Sequence, residues 1–158
     1  MYPFNLPEQA VLVGVMPPAA DAAGRTGDYI SMKNLVRAFV VFFINQGNAA
    51  VVPCSISKAT AVAPTGATAM TETARIYTSL DQTAGHQFTR QTDAAAFSTD
   101  AALKPKIVII EVEPGRIGET YDCIAPVTAA SHAANITSAL IFGVPRIAGA
   151  TTPDVLTD

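Results

Sequence analysis

The chain has 158 residues and a mass of 16.4 kDa, with 49% hydrophobic and only 15% charged residues and a formal net charge of -3. It is too apolar and too sparsely charged to be disordered. It is not basic enough to bind nucleic acid by neutralising phosphates, and two Cys do not make a disulfide framework.

The length is that of one domain, taken as residues 1–158 with extended arms at 1–9 and 147–158. In chain order, residues 1–9 (MYPFNLPEQ) carry Pro3 and Pro7 among alternating Tyr2, Phe4 and Leu6. Proline removes ladder donors, so this piece is extended without being a central strand. Residues 11–16 form a short strand that ends at Pro17-Pro18, and 19–27 (AADAAGRTG) read as a loop. Residues 29–44 (YISMKNLVRAFVVFFI) are the strongest element. From Leu35 onward both parities are apolar, with Leu35, Phe39, Val41 and Phe43 on one face and Val36, Ala38, Val40, Phe42 and Ile44 on the other. Such a strand is covered on both sides, one face in the core and one against something else.

Asn45-Gln46-Gly47-Asn48 then marks a turn. In residues 50–62, Cys54, Ile56 and Val62 share one parity and Ser55, Ser57 and Ala59 the other, which predicts one wet face. Lys58 breaks the inward parity, so a bulge or strand end is expected there. Residues 75–80 and 87–92 are short strands joined by the polar connection 81–86. The Ala-rich stretch 93–104 is expected to hold one helical turn. Residues 107–113 form a strand with Val108, Ile110 and Val112 inward and Glu111 and Glu113 on the other face, closed by Pro114-Gly115. Residues 121–128 and 137–144 are the last strands. About eight short strands with regular turn signals define the expected fold class: an all-β antiparallel β-sandwich, jelly-roll-like.

The longest apolar run, 38–44, is far short of the roughly 20 residues of a membrane helix. The first 24 residues contain no Lys or Arg, so no secretory signal is read. No phosphate-binding loop or dinucleotide fingerprint occurs. His86 and His132 have no companion at metal-ligand spacing and read as solvated loop residues. Cys54 and Cys123 read as buried thiols that pack as small hydrophobes, and a Cys54–His132 nucleophile pair has no support in the spacing. Glu111 and Glu113 project together from one strand face, a geometry open to acid-base work, but the ordinary reading is a solvated face. The basic residues, including Arg25, Lys33, Arg37, Arg75, Arg90, Arg116 and Arg146, are spread singly. They serve either as surface charge or as inter-subunit ion pairs. The expectation is a chain with no catalytic residues, no cofactor and no metal.

Few charges must cover a surface of roughly 7,500 Å² for a chain of this size. Alanine (28 residues) and threonine (17) supply much of the rest. That composition suits permanent protein contacts better than free diffusion. The segment 38–44 is also aggregation-prone unless covered, by the core on one face and by a neighbouring subunit on the other.

Several stretches carry a resemblance. GDYISMKN at 27–34 enters the apolar strand, which ends in NQGN at 45–48. SISKATAVAPTGA follows at 55–67, then Arg75-Ile76-Tyr77, the strand 107–113, Tyr121-Asp122-Cys123 and a closing ALIFGVPR at 139–146. From about Gly27 to Arg146 the chain resembles small virion structural proteins of tailed bacteriophages, most of all capsid decoration, or head auxiliary, proteins. The resemblance implies a compact all-β module with no catalytic residues that binds the outer shell and cements capsomers. Its partners would be the major capsid protein and copies of itself, commonly as a trimer, with no nucleic acid, membrane or small-molecule substrate. It would reside at the capsid surface of the virion after synthesis in the bacterial cytoplasm. Tyr2, Phe4, Leu6, Arg37, Phe42 and Arg146 are the candidate interface residues. The rival readings are another virion subunit (tail tube, head completion or fibre-associated), a soluble β-sandwich binding module, and a small enzyme built on the histidines or the glutamate pair.

Overall fold

Extended segments punctuated by Gly, Pro and polar turns become strands throughout. In the computed structural model, which describes residues 9–85 and 87–146, they are β1 (Val11–Ala20), β2 (Arg25–Thr26), β3 (Ile30–Ser31), β4 (Leu35–Gln46), β5 (Pro53–Ala59), β6 (Thr68–Ala69), β7 (Arg75–Ser79), β8 (Thr89–Arg90), β9 (Ala96–Ser98), β10 (Pro105–Val112), β11 (Cys123–Thr128) and β12 (Asn135–Pro145). All pairings are antiparallel. The first sheet runs β1-β12-β4-β10-β7-β8. The second runs β2-β11-β5-β6, with β3 also on β11 and β9 also on β5.

Take β1, β2 with β3, β4, β5, β6, β10, β11 and β12 as eight successive strands. The two sheets then read 1-8-3-6 and 2-7-4-5, the double Greek-key order of a jelly roll. The segment β7–β9 is an insertion: β7 and β8 widen the first sheet beyond β10, and β9 adds to β5 in the second. The fold is therefore the all-β sandwich expected from the alternation.

The core lies between the sheets. From β4 it takes Ala38, Val40, Phe42 and Ile44, all fully buried, against Ile56 of β5, Ile76 of β7, Val108 and Ile110 of β10, Ile124 of β11 and Ile141 of β12. At the start of β4 the register with β12 slips between Val144–Arg37 and Pro145–Leu35. This bulge corrects the expected parity at the start of the strand: it turns Leu35 inward together with Ala38 and leaves Val36 exposed.

Four local expectations are corrected. The run 29–44 is two strands: β3 joins the second sheet, the chain turns at Lys33-Asn34, and β4 joins the first. Strand β1 does not end at Pro17-Pro18 but continues to Ala20. It lies at the sheet edge, and its register with β12 slips between Met16 and Ala19, so the missing proline donors break no ladder. Residues 93–104 hold the short strand β9 in place of a helical turn; the 3₁₀ turn sits at Pro114–Arg116, where proline takes the first helical position. Lys58 makes no bulge. It keeps the inward parity of Cys54 and Ile56, and its ammonium leaves the core end to meet Glu72 Oε1 at 2.5 Å and to lie 4.5 Å above the Tyr121 ring.

A second lysine follows the same logic. Lys106 lies on the inward face of β10 and is fully buried. Its three donors reach Gln46 Oε1 (2.8 Å), the Asp100 carbonyl (2.8 Å) and Asp100 Oδ1 (2.6 Å). Thr99 Oγ1 donates to the same Gln46 oxygen and accepts from Val52 N–H. This polar knot closes one end of the core, and every donor of the ammonium finds an acceptor, as a buried cation requires.

Candidate interaction surface

The outward parity of the first sheet is as ordered as the inward one. Cross-strand register aligns its side chains in rows that run across the strands. One row reads Val15, Leu140, Val41, Ile109 and Tyr77, from β1, β12, β4, β10 and β7 in turn. The next reads Leu12, Phe142, Phe39, Glu111 and Arg75. On the other side lie Ser138, Phe43, Ile107 and Ser79. Leu12 (51%), Phe43 (46%), Val15 (41%) and Leu140 (39%) remain strongly exposed, so no described element packs over this face. Scattered apolar side chains are normal on a surface, but a contiguous face of this extent marks a contact site.

One corner of the face is ionic. Glu111 Oε1 accepts from Arg37 Nη1 at 2.7 Å and from Arg75 Nη1 at 3.3 Å, and the carboxylate is only 5% exposed. Glu113 lies 3.8 Å from Arg75 and 3.3 Å from Arg116. The two glutamates do share a strand face, as the sequence predicts, but arginines occupy both. Arg37 and Arg146 border a shallow cleft with Val36, Glu113, Pro114 and Gly115. Arg146 also ends the sheet, its backbone N–H bonding Asn34 O and its Nε bonding Leu35 O.

The candidate interface residues thus separate. Arg37 and Arg146 meet at this corner. Phe42 is corrected: it is fully buried in the core, and its neighbour Phe43 is the phenylalanine that faces outward. Tyr2, Phe4 and Leu6 lie outside the described residues, as does His86. The basic residues read as single contacts mostly find partners within the chain. Arg25 donates to Thr137 O and Pro17 O, and Arg90 pairs with Asp93. The rows themselves were missed, because parity within one strand does not say which residues stand beside it on the next.

The remaining titratable groups serve the fold. His132 is exposed, and its Nδ1 accepts from Ala134 N–H at 3.0 Å, closing a turn. Cys54 and Cys123 are both buried. Burial pushes the Cys54 thiol up, and the nearby Asp21 carboxylate pushes the same way. Asp21, within the stretch 19–27 read as a loop, is itself buried. Thr128 Oγ1 donates to its Oδ1 at 2.8 Å, and its Oδ2 has no hydrogen-bond partner among the described residues. Desolvation raises its carboxyl above the ordinary value, against the opposing pull of Thr128 and Arg25.

At the opposite end of the first sheet from the ionic corner is an open polar cleft of about 770 Å³, lined by Thr78, Ser79, Asp81, Gln87, Gln91 and Lys104 among others. The Lys104 ammonium grips Asp81 and holds its carboxyl well below the usual range. No group of three or more His, Cys, Asp and Glu able to hold a metal occurs among the described residues. Comparison with protein-family models, with curated proteins and with solved structures finds no match to this chain.

Proposed function

We propose that the chain is a structural virion protein of a tailed bacteriophage, decorating and cementing the outer capsid surface. The observation that carries this reading is the apolar face of the first sheet, over which no described element packs. In a chain with so few charges it presents Leu12, Val15, Phe43 and Leu140 strongly exposed, and such a face suits a permanent protein neighbour. Two things support the setting. The stretch from Gly27 to Arg146 resembles virion structural proteins, and jelly rolls are common among capsid domains, although a fold alone assigns no function. The work would be mechanical. Many modest contacts on a repeating shell add up through avidity, with no single strong site required.

The test is binding of the purified protein to empty heads of the phage that encodes it, before and after shell expansion, read by co-sedimentation and electron cryomicroscopy. Saturable density at symmetry-related positions on the expanded shell is the expected result. Absence of binding to either shell would remove the decoration reading.

A further inference from the structure

We propose that the outer face of the first sheet is a self-association surface, on which a second copy of the chain lays the same face to form a two-fold pair. The proposal rests on the reading above for its place in the virion, and it names the face that one subunit turns to the next.

The argument starts from shape. A twisted antiparallel sheet packs best on another twisted sheet, about 10 Å away, through interdigitated side chains. The row Val15, Leu140, Val41, Ile109 and Tyr77 crosses five neighbouring strands with no charged residue, and Phe43 adjoins its centre. Area comes next. Five strands about 4.8 Å apart, averaging roughly nine residues at about 3.4 Å, make a footprint of about 700 Å² per copy, or about 1,400 Å² for the pair. That lies within the range of specific interfaces and above that of incidental contacts. Symmetry decides the occupant. A two-fold contact needs only one patch used twice, whereas a ring needs a second, different patch to receive the first. The outer face of the second sheet offers no such open match: Ala59, expected on a wet face, is buried there with Tyr29, Cys123 and Ala125, and Ser55 and Ser57 are half-buried. Chemistry agrees: the Glu111 charge is already neutralised within its own chain by Arg37 and Arg75, so closing the face strands no lone carboxylate.

The experiment measures mass in solution by light scattering after size exclusion and by sedimentation, on wild-type protein and on Phe43→Glu and Leu140→Glu. Both side chains point away from the core, so the variants should keep the wild-type circular dichroism and, at a concentration where wild type is monomeric, its melting temperature. The expected result is a dimer whose dissociation constant rises about a hundredfold or more in either variant. In addition, Val41→Cys should join two chains through a short bismaleimide, since Cys54 and Cys123 are buried and stay unreactive in the folded protein. A wild-type chain that stays monomeric at about 100 μM, far above a useful affinity, would overturn the proposal. So would a trimer, or a dimer untouched by both glutamate substitutions. Head binding keeps the two readings apart. Variants that are monomeric yet still decorate shells support the pair and show that decoration does not depend on it. A wild-type dimer that ignores shells leaves the pair standing and removes the decoration role.

Discussion

Phe42 and Phe43 are consecutive in β4 and point to opposite sides of the first sheet: Phe42 is fully buried between the sheets, and Phe43 stands on the outer face beside Ile107 and Ser138. Two identical side chains therefore do different work. Truncating Phe42 to Ala should cost about 3–5 kcal/mol through lost burial and the cavity left behind. Truncating Phe43 should change folding stability by less than about 1 kcal/mol, the scale of a cross-strand pair. Urea unfolding of the two variants at a concentration where wild type is monomeric checks both figures. Equal losses would mean that the outer face is packed like the core.

Lys106 is expected to behave as a buried cation whose partners are already in place. Lys106→Ala leaves Gln46 Oε1 with only the Thr99 donor and opens a void, so a loss of about 3 kcal/mol is expected. Lys106→Met keeps the volume and should lose less. The pair is also acid-sensitive. The hydrogen bond from Lys106 holds the Asp100 carboxyl below its ordinary 3.8. A lowered carboxyl stabilises the fold above the unfolded value, and that contribution fades as pH falls below 3.8 through the folded value. Urea midpoints measured down this range should fall more steeply for wild type than for Lys106→Met.

Asp21 has the opposite sign. Its folded carboxyl is raised, so the folded protein binds its proton more tightly than the unfolded chain. Stability therefore declines as pH climbs from 3.8 through the raised value, then levels off. Asp21→Asn keeps an acceptor for Thr128 and removes the buried charge, placing a neutral amide nitrogen where the unpartnered Oδ2 stands. The variant should be more stable than wild type at pH 7 by about 1 kcal/mol, with that decline abolished. A less stable variant would show that attraction to Arg25 outweighs desolvation.

Cys54 and Cys123 should resist thiol reagents in the folded protein, because both are buried and the Cys54 thiol is pushed up. Labelling with an aromatic disulfide should follow the unfolding rate. Rapid reaction of either residue under native conditions would place a local opening at β5 or β11.

The two-faced character of β4, the inward set of β10 and the sandwich class could all be read from the chain, because each follows from period-two alternation within one segment. The break inside 29–44 could not. Lys33-Asn34 is a weak turn signal, and only the different sheets that receive β3 and β4 make it decisive. The diproline reads as a strand end, because sequence does not reveal which strand lies at an edge. Lys58 is legible as a parity violation but not as a satisfied cation, since Glu72 reaches it from another segment; Lys106 falls just outside the expected strand 107–113, and its partners Asp100 and Gln46 also come from other segments. The outer face depends on register between strands far apart in sequence, such as Val41 beside both Leu140 and Ile109.

The diproline at Pro17-Pro18 also governs how copies can meet. A sheet with bare backbone along its border is a template for further strands, and growth there has no natural end. Here one border is β1, with two prolines and two register slips, and the other is β8, two residues long. Neither offers a long run of donors and acceptors to a newcomer. Lateral elongation of the first sheet is disfavoured at both its margins, which leaves stacking of faces as the route by which this sheet meets another, and stacking terminates once the faces are used.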